Sequence, residues 1–176
     1  MRGRIARMVC SALIATALAG CFLGDRDPPA GQPSFYRSLA THDAELDVTA
    51  AQSMISGYRR NNGLGPVTVD PVLTRMAQEQ ARVMAERDKL DHSAGRPFQE
   101  RIRTSGFDAK VAAENVSAGY HTLAEAFSGW RDSPQHRANM LLSGATRMGI
   151  AAVYAPNSKY KVFWSLILAA PDEKRT

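Results

Sequence analysis

The stretch Met148–Leu168, MGIAAVYAPNSKYKVFWSLIL, decides the fold. In it Met148, Ile150, Ala152 and Tyr154 alternate with Gly149, Ala151 and Val153, Asn157-Ser158 marks a turn, and Val162–Leu168 is an apolar run of strand type. Alternation, turn and second run together predict a C-terminal antiparallel hairpin. Upstream the period changes. Thr122-Leu-Ala-Glu125 reads as a capping box before a helix with Leu123, Phe127 and Trp130 on its inner face. Ser133-Pro134 then restarts a short helical turn through Leu142, closed by Gly144. Phe98 and Ile102, ended by Gly106, predict a further short helix. Asp70-Pro71 supplies an N-cap with proline at the first helical position, and Val72, Leu73, Met76, Ala77, Val83 and Met84 recur at helical spacing to about Lys89. Thr49-Ala-Ala-Gln52 reads as another capping box, before Met54, Ile55 and Tyr58 on one face, with Asn61-Asn62-Gly63 as the stop. Ala113 to Gly119 supplies a third strand. Helices first and a hairpin last imply an α+β domain with about four helices packed on a small antiparallel sheet.

A chain of 176 residues, 44% hydrophobic and 22% charged, suits one globular domain with a sizeable core. No apolar stretch reaches the ~18 residues of a membrane-spanning helix, which excludes a polytopic membrane protein. The two cysteines, Cys10 and Cys21, precede the domain, so it holds no internal disulfide and no cysteine-based zinc site. The net charge of +5 owes three charges to Arg2, Arg4 and Arg7, and the chain after residue 20 carries 19 basic and 17 acidic residues. These are mixed in sign, as in Arg82, Glu86, Arg87 and Asp88, so no nucleic-acid partner is expected.

The first twenty residues read as a secretory signal: a basic start, then an apolar core from Met8 to Ala19. Leu18-Ala19-Gly20-Cys21 resembles the bacterial lipobox, which implies cleavage before Cys21 and a diacylglycerol on its thiol. Two or three acyl chains, at ~0.8 kcal/mol per buried CH₂, hold a protein stably on a membrane. The resemblance implies the cell envelope, and with Phe22 after the cysteine, the periplasmic face of an outer membrane where there is one; a secreted protein is the alternative. Residues 21–46 carry Pro28, Pro29, Pro33, Gly24 and Gly31 and read as a tether, with Phe35, Tyr36 and Leu39 against the domain. As a flexible coil such a segment spans roughly 28 Å. The domain is expected over 47–170, followed by a polar tail at 171–176.

Three segments place an ionisable side chain beside residues that fix the backbone: Leu90-Asp91-His92-Ser93, Ala113-Glu114-Asn115-Val116, and the run from Trp130 through Ser133-Pro134, His136-Arg137 and Asn139. Joined with Tyr58-Arg59, Gly63-Leu64, the Asp70-Pro71 helix, Gly149 and Phe163-Trp164, they form an ordered set. In this the chain resembles the CAP superfamily of cysteine-rich secretory, antigen-five and pathogenesis-related group-one proteins, in its compact bacterial branch, over roughly Asp47 to Ala170. The resemblance implies an α-β-α sandwich with a cleft lined by two histidines and one or two acids. By position His92 and His136 match the histidines and Glu114 the acid. Ser133 stands where a second glutamate is common, with Asp91 and Asp132 nearby, and Ser165-Leu166 replaces a frequent Thr-Gln.

Two imidazoles and a carboxylate admit three uses. They can bind a divalent metal such as zinc, act as general acid and base, or form a polar cluster that holds the cleft together. Placement in the first turn after Ser133 is expected to keep His136 neutral. Glu114-Asn115 could instead be a turn, with the asparagine bonding local backbone. Trp130 and Trp164 read as core anchors, Arg137 as structural, and His42 and His121 as exposed. The expectation is an exported, lipid-anchored protein that binds an extracytoplasmic lipid, peptide or envelope component in a cleft at His92, Glu114 and His136, with a divalent metal as the candidate cofactor. The alternative is a hydrolase, such as a protease, using the same cluster.

Overall fold

The computed structural model describes residues 31–172, and the signal segment, Cys21 with the first part of the tether, and residues 173–176 of the tail lie outside the described residues. Helix α1 (Val48–Asn61) and strand β1 (Thr68–Val69) come first, then α2 (Pro71–Glu86) and α3 (Phe98–Thr104). After them run β2 (Ala109–Ala118), α4 (Leu123–Asp132), α5 (Pro134–Met140), β3 (Arg147–Tyr154) and β4 (Val162–Pro171). The strands form one sheet in the order β1-β3-β4-β2.

The hairpin predicted from 148–168 is present as β3 and β4, antiparallel with Met148 opposite Leu168 and Tyr154 opposite Val162. On the other side of β4 lies β2, also antiparallel, with Glu114 opposite Ile167 and Asn115 opposite Leu166. β1 pairs with β3 in parallel, which makes the sheet mixed rather than purely antiparallel. Its two residues carry no alternating run, so no strand is expected there from sequence.

Period two splits β4 between two cores. Trp164, Leu166 and Leu168 pack with Ala51, Ile55, Leu123, Ala126, Trp130 and Met140 on the face covered by α1, α4 and α5. Ile167 and Ala169 face the other way, against Leu73, Met76, Ala77 and Ala81 of α2 and Ile102 of α3. Helices cover both faces, which is the α-β-α sandwich. There are five α-helices among the described residues, because the turn after Ser133 makes a helix of its own.

Helix starts follow their caps. Asp70 Oδ1 accepts from Val72 N at 2.8 Å and Leu73 N at 3.1 Å at the head of α2. Thr122 and Glu125 form the expected capping box of α4. The box expected at Thr49 is a correction. α1 starts at Val48, and its N-cap is Asp47, whose Oδ1 accepts from Ala50 N at 2.8 Å while Oδ2 accepts from Ser34 Oγ. A carboxylate two residues upstream outcompetes the threonine for the free amides. Residues 34–46 lie against the domain: Leu39 is buried, its N–H donates to His121 O at 2.7 Å, and Phe35, Ala40, Ala44 and Leu46 pack on the same core.

Candidate functional site

Glu114 and Asn115 sit side by side on edge strand β2 and therefore point to opposite faces. The turn anticipated as one reading of Glu114-Asn115 is not what forms. Asn115 Nδ2 instead crosses to α5 and donates to His136 O at 2.9 Å. Asn139 Nδ2 answers from α5, donating to Asn115 Oδ1 at 2.9 Å and Glu114 O at 3.0 Å. This amide pair clips α5 to β2 and fixes where His136 stands.

His92 comes from the loop after α2. Gln80, buried in α2, donates Nε2 to Asp91 O at 2.7 Å, and Asp91 Oδ1 accepts from Ser93 N at 2.8 Å, so the loop is held on both sides of the histidine. His92 Nδ1 lies 3.0 Å from Glu114 Oε2. A carboxylate can only accept, so Nδ1 carries the proton, and Nε2 is an acceptor in the neutral ring and a donor in the imidazolium. The His92 side chain is 50% exposed and that of Glu114 only 1%.

A buried carboxylate needs a counter-charge. Arg101 of α3 supplies it: its Nη2 stands 2.8 Å from Oε1 and 2.9 Å from Oε2. The same nitrogen reaches His92 O at 3.2 Å, Arg101 Nε donates to Arg96 O at 3.1 Å, and Ser165 Oγ donates to Glu114 Oε1 at 3.4 Å. Ser165, which is fully buried, thus adds a hydroxyl to the carboxylate's surroundings. Sequence reasoning missed Arg101, although it shares one helix face with Phe98 and Ile102, whose spacing marks the inner side.

His136 is half-buried, and its pKa lies below the ordinary histidine value, first through burial and then through the charge on His92. The direction matches the expectation of a neutral ring, and burial is its first cause. Of the two carboxylates weighed as replacements for the one missing at Ser133, Asp91 pairs with Lys89 at 3.0 Å and Asp132 with Arg131 at 2.8 Å. Trp130 and Trp164 are core anchors, edge to face at 6.2 Å between ring centres.

The donor set does not fit a three-ligand metal centre. Among the described residues no three His, Cys, Asp or Glu side chains stand together so as to hold one ion. Both Glu114 oxygens already accept from Arg101, whose positive charge opposes a cation at the same place. Two concavities, of about 700 Å³ and about 400 Å³, lie elsewhere, around Lys110 and Thr146 and around Arg82 and Ala155.

Fold and site together define a small α-β-α sandwich in which one histidine, His92, is bonded to a buried carboxylate on the edge strand. The family model of the CAP, or cysteine-rich secretory protein, family matches residues 52–168, and the chain belongs to that family. Over 138 residues it is 28% identical to the uncharacterized protein YkwD of Bacillus subtilis (strain 168), covering 70% of this chain and 53% of that protein. The chain thus spans about half the length of that relative. Its fold is similar to that of an outer surface protein from Borrelia burgdorferi, with a TM-score of 0.66 at 18% identity over 74% of this chain and 97% of the other. An extracellular protein containing an SCP domain from Bacillus anthracis is similar at a TM-score of 0.60 and 18% identity, over 69% of this chain and 39% of its own.

Proposed function

We propose that the chain is an exported, lipid-anchored protein of the bacterial cell envelope that binds a small extracytoplasmic ligand (lipid, peptide or wall component) at His92 and His136. The export reading rests on the basic-apolar start, the Leu18-Ala19-Gly20-Cys21 sequence, and the outer-surface and extracellular descriptions of two proteins of the same fold. The binding reading rests on one observation: a half-exposed imidazole is held by a buried carboxylate, beside a second, half-buried imidazole. With Nδ1 turned to Glu114, His92 leaves Nε2 for a ligand, as acceptor in the neutral ring or donor in the imidazolium, which suits a hydroxyl that can take either role. A divalent metal is not part of this reading, because Arg101 stands against both oxygens it would use.

Amide and imidazole NMR signals of the Cys21→Ala chain, titrated with a panel of lipids, peptides and wall fragments, test the binding. Saturable shifts at His92 and His136, lost in a His92→Ala/His136→Ala variant, are the expected result. Equal behaviour of the two proteins removes the cleft as a binding site, and conversion of a ligand to product would move the reading to a hydrolase. For the anchor, Cys21→Ala is expected to transfer the protein from membrane to soluble fractions. Unchanged partitioning overturns that assignment.

A further inference from the structure

The described domain buries two arginines, and they are held in opposite ways. Arg59, 1% exposed, gives Nε to Gly65 O, Nη1 to Met140 O and Leu142 O, and Nη2 to Ala145 O, all at 2.9–3.0 Å. It meets backbone carbonyls and ties loops together. Arg101, 7% exposed, places one nitrogen against both oxygens of the Glu114 carboxylate, while its buried Nη1 has no hydrogen-bond partner among the described residues. A side chain kept mainly for its hydrogen bonds would not leave a donor orphaned. Its charge explains the placement.

We propose that Arg101 is a built-in counter-cation occupying the position beside Glu114 that a divalent metal would need, so that the His92–His136 site works without metal. Three features carry this. The guanidinium is anchored to the loop as well as the carboxylate, through Arg96 O and His92 O, and cannot swing aside without releasing both. A metal–carboxylate oxygen bond of about 2.0–2.2 Å would set a dication next to this fixed positive charge. No further carboxylate compensates among the described residues nearby, since Ser133 fills one place and Asp91 and Asp132 are paired with Lys89 and Arg131. The imidazoles alone then face the ligand.

The test is isothermal titration with ZnCl₂, beside imidazole NMR, on the Cys21→Ala chain and on Arg101→Gln and Arg101→Lys made in it. Arg101→Gln is expected to bind one equivalent of Zn²⁺ roughly 10- to 100-fold more tightly than the parent. The gain should vanish when His92→Ala is added. Arg101→Lys keeps the charge and is expected to stay as weak a binder as the parent. Parent binding as tight as that of Arg101→Gln overturns the proposal, and so does a folded Arg101→Gln that gains nothing. If Arg101→Gln does not fold, the other two proteins decide: one-to-one binding by the parent that shifts both histidines, or a clear gain in Arg101→Lys, overturns it, and weak binding by both upholds it. None of these outcomes bears on whether an organic ligand binds the cleft.

Discussion

At Arg59 four backbone carbonyls from two stretches of the chain, Gly65 and 140–145, converge on one guanidinium, which is buried without any carboxylate in its hydrogen-bond set. Burial holds its pKa below the ordinary arginine value. Replacing it with methionine keeps much of the volume but orphans those acceptors, each at about 1–3 kcal/mol. Arg59→Met is therefore expected to lower stability by about 3 kcal/mol or more in urea unfolding. His136 makes a pH-dependent contribution. Its folded pKa lies below 6.5, so as pH drops under that value the unfolded chain takes up a proton that the folded chain refuses. Stability falls through that window and levels off below the folded pKa. His136→Gln is expected to flatten the loss of thermal midpoint between about pH 7.5 and about pH 5. His92, Glu114 and His136 were singled out by their positions in the ordered motif set and the resemblance it carries, and the structure joins the first two. Arg101 was not, since an arginine on a short helix ordinarily reads as a solvated charge whatever face it occupies.

Helix α2 packs directly on β3, and the closeness of that contact is set by Gly149. A Cβ there would overlap the Leu73 carbonyl group and the Thr74 nitrogen, both backbone that cannot rotate away. Gly149→Ala is expected to lower stability by about 1–3 kcal/mol, or to shift α2, read by thermal midpoint and the amide spectrum of α2. At the head of α4, Thr122→Ala removes the hydroxyl that accepts from Glu125 N at 3.2 Å, with an expected loss of about 1 kcal/mol in urea unfolding. Elements with long periodic runs, α2, α4, β3 and β4, were readable from sequence. β1 was not, because two residues cannot display a period, and the start of α1 was misplaced because Asp47 competes with Thr49. The first part of β2, with its exposed Val111, also lacks an inward-facing pattern.

Across the whole molecule the two cores share β4, and the segment before Asp47 closes over one of them. Leu39 is only 7% exposed, so a chain beginning at Asp47 is expected to be less stable than one beginning at Phe22 by about 1.5–3 kcal/mol in urea. The strand order has a further consequence. β4 is buried from Val162 to Ala170, separates β2 from β3, and follows every other described element in the chain. During synthesis from the N-terminus, no earlier segment can complete either core, because the shared partner has yet to emerge. On the export proposed above, the polypeptide would stay pliant enough to thread a narrow pore until β4 is released, and only then lock shut.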